Sequence, residues 1–593
     1  MENETKKQER PCLVRRGYFP KELPPPFQTT SLADSLDKVR NRWKEIRDDH
    51  LTRRPEENKA AFKERKQKFI DNYSSSSCAN FSISKGKISR RVLKMPNPLH
   101  FIELAELIED NWKQISKLFH KSLYSKSFPV LTTNSNQRSV HTYSKDVQDF
   151  RNYVLLSSAD KMVQVRVDIS KFYPSVYTHS ITWATLGKSI AKNYFSMSKP
   201  EFQKMYDSGD EKALLYKLAN DIDIAVRSCQ DRQSIGIPIG PDTSHVISEI
   251  IATRIDSILQ SEYSNFNLSA CRYYDDYYLF ANTLDEADQV LKGLQRALNE
   301  FELEVNESKI EIRKFPFGFE ESWVAELFQF QFKETNQENS VKHYFSLLWR
   351  IAEKNSKRTD WVFRYALKRF EFGTEKINSK SWKTFECLLI KSAMIEPSVL
   401  DVVNRILLTY KKELDYQSRR DIKNLVYYVL TEQSKMNHHF EVSWALWMAH
   451  SFDIMIDEKI ANIVINLGDT TSCLILLFLA KEREMVIGEP DFYELEFMLV
   501  DTVLSSEQWL LAYEAIKKGW LKPIDDKLID KNLFFSILYD LNVEFYDAEK
   551  QLSVVSVDEE SGYTVKDETE KSENIVKELD EDHSLASIIS NLQ

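Results

Sequence analysis

The chain has 593 residues, 42% of them hydrophobic, which is too long for one ordinary domain and apolar enough to exclude wholesale disorder. Thirteen glycines are too few for a glycine-rich β protein or a glycine-fingerprint dinucleotide fold, and six scattered cysteines without a C-x-x-C pair exclude a zinc ribbon or a disulfide scaffold. The net charge of −10 is unevenly spread, with +10 in residues 1–100, −12 in 101–550 and −8 in 551–593, so it does not exclude a polyanionic partner, which responds to the local field.

In chain order, residues 1–80 form a basic extension. Pro24-Pro25-Pro26 and Ser74–Ser77 mark irregular stretches, with charged helix over 32–70 broken near Pro55. Residues 81–335 mix strand and helix. The run MVQVRVDI (162–169) alternates at period two and predicts a strand that carries Asp168 near its end. The segment GIPIGPDTS (236–244) predicts a turn opening directly into an amphipathic helix, with Ser244 in its first turn. RYYDDYYLF (272–280) predicts a hairpin with Asp275 and Asp276 at its turn, followed by an amphipathic helix over 284–301 and short strands at 303–305 and 310–313. Residues 336–550 change to apolar positions at helical spacing. Ten segments (344–352, 361–372, 382–393, 399–411, 422–431, 442–454, 460–467, 472–480, 493–504 and 507–519) predict helices that stack in pairs as a HEAT-like solenoid or pack as an irregular bundle. Residues 551–593 predict a flexible acidic tail with at most a short helix over 575–592. The start MENETKKQER has no apolar core for a signal peptide and no run of 18 apolar residues occurs, so a cytoplasmic protein without membrane contact is expected.

The chemistry centres on Asp168 and the Asp275-Asp276 pair. Adjacent carboxylates between aromatic arms repel each other and lose hydration, an arrangement that a divalent cation neutralises. Mg²⁺, or Mn²⁺ in its place, takes a few carboxylates together with substrate phosphates, so three acids on neighbouring strands suit two-metal phosphoryl transfer. A solvated Asp-Asp turn is the plainer reading, but it has no need of four flanking tyrosines. Gly236 and Gly240 leave bare backbone that a flat ligand such as a base pair or template strand can approach. His438, His439, His450 and the tryptophans at 349, 361, 382, 444, 447, 509 and 520 sit at helical positions and read as packing residues.

Taken in order, DISKFYPS (168–175), GIPIGPDTS (236–244), YYDD (273–276) and NESK (306–309) resemble motifs A, B, C and D of reverse transcriptases, over about residues 85–330. YTHSITWATLGK (177–188), Gly-Pro-Asp-Thr-Ser (240–244) and Arg90-Arg91 with Lys94-Met-Pro-Asn97 resemble the bacterial abortive-infection, defence-associated (AbiK-like) reverse transcriptases, which also carry a long helical C-terminal domain. The resemblance implies an α+β palm and fingers, with a ferredoxin-like palm sheet, followed by an all-α helical-repeat domain. It implies Asp168, Asp275 and Asp276 as catalytic metal ligands. Arg90, Arg91 and Lys94 would clamp the triphosphate, with Gly240 also in the nucleotide site. Tyr173 would lie under the deoxyribose, and Lys309 would be a proton donor to pyrophosphate or a surface lysine.

By the same resemblance the chain is an antiphage-defence polymerase that makes DNA from dNTPs without a template and attaches the single-stranded product to a protein tyrosine. Of the 26 tyrosines none is singled out; Tyr18, Tyr73 and Tyr563 lie in segments expected to be mobile. The rival readings are a templated enzyme copying a dedicated non-coding RNA and a catalytically idle scaffold that binds nucleic acid or a phage protein. A homo-oligomer is expected.

Overall fold

The computed structural model describes residues 12–552 except 87, 135–136, 264–267, 319–320 and 372–374, together with the backbone of 555–558 and 562–565. The basic N-terminal region does not stand apart from the rest of the chain. Helix α1 (Leu36–Leu51) buries Leu36, Val39 and Trp43 along one face, and α2 (Lys59–Tyr73) returns against it through Phe69. Trp43 meets Phe69 at 5.6 Å between centroids and Phe534 edge-on at 5.4 Å, and the Tyr73 hydroxyl accepts from the Leu533 amide at 2.8 Å. Tyr18 is fully buried, stacked on Phe101 at 3.9 Å. Tyr18 and Tyr73, expected in mobile segments, are therefore packed anchors: in so polar a stretch the few aromatics supply most of the apolar surface that can hold it down.

Strands β1 (Ala79–Lys85) and β2 (Ser89–Met95) form the fingers hairpin, followed by α3 (Pro98–Asp110), which Asn97 caps and Pro98 opens. The palm is β3 (Val163–Asp168), α4 (Asp242–Glu262), β4 (Ser269–Tyr273), β5 (Asp276–Ala281), α5 (Leu284–Asn299) and β6 (Glu311–Lys314). These strands lie in the order β4-β5-β3-β6, every pair antiparallel, which is the ferredoxin-like arrangement. Thr283 and Glu286 close a capping box on α5, whose Ala287, Val290, Leu291, Leu294, Ala297 and Leu298 face the core. The strand expected at 303–305 is only an isolated bridge between Val305 and Ile169, since the chain turns at once through a 3₁₀ segment, Glu307–Lys309.

From α6 (Ser322–Phe328) to Asp540 the chain is helical apart from one short parallel strand pair, Ile456–Asp457 with Val486–Ile487, where an all-α region was expected. Trp323 meets Tyr365 edge-on, and Phe332 packs on Tyr344 and Phe370, joining the palm exit to the first helices. These are α7 (Gln337–Lys354), α8 (Thr359–Glu371), α9 (Ser379–Ile395), α10 (Leu400–Thr409), α11 (Tyr416–Ser434), α12 (His439–Ser451), α13 (Glu458–Leu467), α14 (Thr470–Lys481) and α15 (Trp509–Lys517). They stack in two layers, α7-α9-α11-α13 and α8-α10-α12-α14-α15, each helix touching the next one along its own layer, with α7/α8, α9/α10, α11/α12 and α13/α14 paired across. That is the solenoid alternative of the sequence reading. Helices α12 and α14 are apolar almost all round and run buried, with Trp447 and Leu474–Leu477 inside. Trp382, Trp444, Trp447, Trp509 and Trp520 are all core.

The backbone of Val555–Asp558 and Gly562–Val565 pairs as an antiparallel hairpin where a flexible tail was expected. The Tyr563 side chain and the helix expected over 575–592 lie outside the described residues. Among the described residues no helix is long and apolar enough to cross a membrane.

Candidate active site

Strand register brings the acids together. Antiparallel pairing of β3 with β5 sets Asp168 directly opposite Asp276, and the Ile169 amide donates to the Asp275 carbonyl at 3.2 Å. Asp275 occupies the turn between β4 and β5. Burial, reinforced by Asp276 and Asp168, pushes its carboxyl well above the usual carboxylate range. Two cations already answer the neighbouring acids: Lys309 Nζ lies 2.6 Å from Asp168 Oδ2, and Arg166 Nη2 lies 3.7 Å from Asp276 Oδ2. Asn306 also donates to Asp168 Oδ2 at 3.2 Å and, from its backbone, to the Asp168 carbonyl at 2.7 Å. The 3₁₀ turn after α5 thus places both Asn306 and Lys309 on one carboxylate. Lys309 is an exposed lysine whose ammonium pairs with Asp168.

The turn that presents Asp275 is strained and held on three sides. Tyr274 adopts a left-handed φ of 53°, uncommon for an aromatic residue. Its amide donates to Ser127 Oγ at 2.6 Å, its carbonyl accepts from Arg272 Nη1 at 2.9 Å, and its ring lies 4.7 Å from that of His245. Arg272 is fully buried between two carboxylates, with Nη2 2.7 Å from Glu249 Oε1 and 2.8 Å from Asp256 Oδ2; Tyr277 Oη donates to Asp256 Oδ1 at 2.7 Å. His245 hydrogen-bonds to the Ser127 carbonyl at 2.8 Å, and burial pulls its imidazole down to about 4, so it is neutral at pH 7. Sequence reading missed Ser127, His245, Glu249, Asp256 and Arg272. The available signal was Glu249 and Asp256 at a seven-residue spacing, on one face of α4.

A positive rim faces the acids. Arg91 is buried and Lys85 lies nearby; both interact electrostatically with Asp168 and Asp275. Burial, then the proximity of Arg91 and Lys309, lowers Lys85, and the two aspartates offset part of that. Lys85 was not among the residues expected from sequence. The expected clamp of Arg90, Arg91 and Lys94 is only partly assembled. Side chains alternate along a strand, so Arg90 and Lys94 leave β2 on the opposite face from Arg91. Arg90 binds Glu441 of α12 through Nη1 and Nη2 at 2.6 and 2.7 Å. The Lys94 amide donates to the Ile239 carbonyl at 2.7 Å, which ties β2 to the 236–240 loop.

Tyr173 is brought to the acids. Its hydroxyl accepts from Ser248 Oγ at 3.3 Å, its carbonyl accepts from the Ile237 amide at 2.9 Å, and burial, with Asp275 adding, raises its phenol. Gly240 has φ +121° and no room for a side chain, because a Cβ there would lie 2.9 Å from Pro20 Cγ and 3.5 Å from the Lys94 carbonyl oxygen. The bare backbone expected to receive a flat ligand is instead covered by the N-terminal segment of the same chain. Arg138 closes that contact, donating to the carbonyls of Phe19 (3.1 Å) and Gly240 (2.8 Å) and to Asp242 Oδ1 (2.8 Å).

Among the described residues no group of three or more His, Cys, Asp or Glu side chains is already closed around a metal position. The donor set still fits a hard divalent cation. All three donors are carboxylates, and Asp275 is pushed towards its neutral form by burial and then by Asp276 and Asp168, a repulsion that added positive charge relieves.

Residues 105–343 match the family model described as reverse transcriptase (RNA-dependent DNA polymerase). This part of the chain is a reverse transcriptase domain, and the protein is an enzyme of the nucleotidyltransferase class. No curated protein matches the chain. A solved structure, apo telomerase from Candida tropicalis, is similar at 10% identity and a TM-score of 0.25, over 76% of this chain and 72% of that one.

Proposed function

We propose, from the premise that residues 105–343 form a reverse transcriptase domain, that the chain is an antiphage-defence DNA polymerase. It joins dNTPs without copying a template and starts from a protein hydroxyl. The observation that carries nucleotidyl transfer is the register that pairs Asp168 with Asp276 beside the Asp275 turn, under the rim of Lys85, Arg91 and Lys309. Asp168, Asp275 and Asp276 would hold Mg²⁺ or Mn²⁺, which when bound supplies charge neutralisation on phosphate and acidification of the attacking hydroxyl. Arg91 and Lys85 bind the triphosphate as fixed positive charge, Lys309 pairs with Asp168 and orients it, and Tyr173 fills the space beneath the sugar, so a 2′ hydroxyl is excluded.

Synthesis without a template is supported by the cover on Gly240. A template strand at that loop would have to displace Pro20 and break the Arg138 contacts that hold it. Tyr18 is fully buried and the half-buried Tyr73 hydroxyl is engaged by the Leu533 amide, which counts against either as the priming group.

The test is incorporation of each labelled dNTP by the full chain with Mg²⁺ or Mn²⁺, with and without RNase, followed by protease. Product that survives RNase and shifts on proteolysis is expected, and Asp275→Asn should abolish it in a folded protein. RNase-sensitive synthesis would establish the templated rival; no synthesis by the unaltered chain would leave the idle scaffold.

A further inference from the structure

The fingers hairpin is not free to move on its own. At its tip the Gly86 amide donates to Asp360 Oδ2 of α8 at 2.9 Å. Midway, Ser82 Oγ donates to the Asn437 carbonyl at 2.9 Å and accepts from the His439 amide at 3.2 Å. One strand over, Arg90 forms its two-pronged pair with Glu441, whose carboxylate is only 3% exposed. At the base, Asn80 donates to Glu507 at 2.9 Å, Trp509 Nε1 to the Met95 carbonyl at 3.1 Å, and Asn97 to the Leu504 carbonyl at 2.8 Å. These six anchors all lie in the helical region and span the hairpin from tip to base; the Lys94–Ile239 bond adds a tie to the palm loop. The residue after Arg90 is Arg91, which alternation directs to the other face, towards Asp168 and Asp275. Two adjacent arginines thus point opposite ways, one into the solenoid and one into the acid site.

We propose that the helical region is a strut that sets the position of the fingers over the acids, and that Glu441 is a positioning residue acting through Arg90 on Arg91. Glu441 touches neither the acids nor their cations. It fixes the strand from which Arg91, and across the hairpin Lys85, reach the site. This deepens the proposed polymerase reading and rests on it. A bidentate Arg–carboxylate pair suits the role, because two parallel charge-assisted bonds restrict rotation as well as distance.

The test uses the full chain with Glu441→Gln, Arg90→Met/Glu441→Leu and the swap Arg90→Glu/Glu441→Arg. Hydrogen–deuterium exchange should speed up in residues 79–95 of Glu441→Gln while β3 and β5 stay protected. The KM for dNTP should rise about tenfold with kcat changed by less than about threefold, the size expected from loosening one charge-assisted contact to the triphosphate. The apolar pair, which removes the buried charge without leaving a partner stranded, should stay folded and show the same KM rise. The swap should recover part of it. Unchanged exchange in 79–95 would overturn the strut. Faster exchange with an unchanged KM would overturn the positioning role. If the unaltered chain incorporates no nucleotide, the polymerase reading and the positioning role fall together, while the exchange measurement still decides the strut.

Discussion

Arg272→Met tests whether the acid-bearing turn depends on a buried charge network. The substitution keeps an unbranched apolar stem but removes five contacts of 2.7–3.1 Å to Glu249 and Asp256 and one of 2.9 Å to the Tyr274 carbonyl. Glu249 and Asp256 are at most 2% exposed at their side chains, so their charges would stay buried without an answering cation. Breaking such a pair costs ~3–5 kcal/mol, a large fraction of the ~5–15 kcal/mol that holds a typical domain folded. The sign of the pH effect follows from Glu249. In the intact protein burial raises its carboxyl, but Arg272 outweighs burial and holds it below the usual range, so its stabilising contribution is present above the unfolded value and lost as pH falls. Without Arg272 burial dominates over the weaker effects of Ser125 and His245, the carboxyl moves up, and the penalty eases as pH falls. Urea unfolding followed by tryptophan fluorescence should therefore show a deficit of ~3–5 kcal/mol at pH 7 that shrinks at pH 5. Arg272→Met/Glu249→Gln/Asp256→Asn should regain at least half of the stability but little of the incorporation, since the Tyr274 carbonyl still lacks its donor. A deficit below ~1 kcal/mol, or a triple variant no more stable than the single one, would refute the network's role.

Three further outcomes are expected. Tyr173→Ala should raise ribonucleotide incorporation relative to deoxynucleotide by ~1–3 kcal/mol of discrimination, measured as the ratio of kcat/KM; an unchanged ratio would make Tyr173 ordinary palm packing. His245 is buried with its imidazole at about 4, below its unfolded value, so the unfolded state takes up protons first and stability falls as pH drops from about 6.5 to 4. Urea midpoints of His245→Gln should accordingly fall closer to those of the unaltered chain at pH 5 than at pH 7. A fragment ending at residue 335 should be insoluble or inactive, because it exposes Trp43 and the fingers anchors, whereas deletion of 555–593 should be tolerated; full incorporation by the fragment would make the helical region dispensable.

Local patterning carried much of the outline. Period two at 163–168, the amphipathic run at 284–301 and helical spacing after 336 specify elements from nearest neighbours alone, and these are present except that the helix expected over 493–504 shrinks to Tyr493–Phe497 followed by a 3₁₀ turn at Val503–Ser505. Asp168, Asp275 and Asp276 were legible because acids between apolar and aromatic residues conflict with local burial, and that conflict is itself a signal. Other features depend on contacts remote along the chain. Arg90 and Arg91 are indistinguishable as letters, yet strand alternation separates them and Glu441, 351 positions away, claims the first. Gly240 reads as open backbone until Pro20 is folded onto it, and Tyr18 and Tyr73 read as mobile until Phe101 and Leu533 arrive. The buried Arg272 looks like one more cation in a strand; only the packing of α4 beneath it supplies two carboxylates. Sequence determined the elements and the acids, because these rest on periodicity and on local chemical conflict. Tertiary structure alone decided which cation meets which acid and what covers the palm loop, because those pairings follow from strand register and long-range packing rather than from any residue's neighbours.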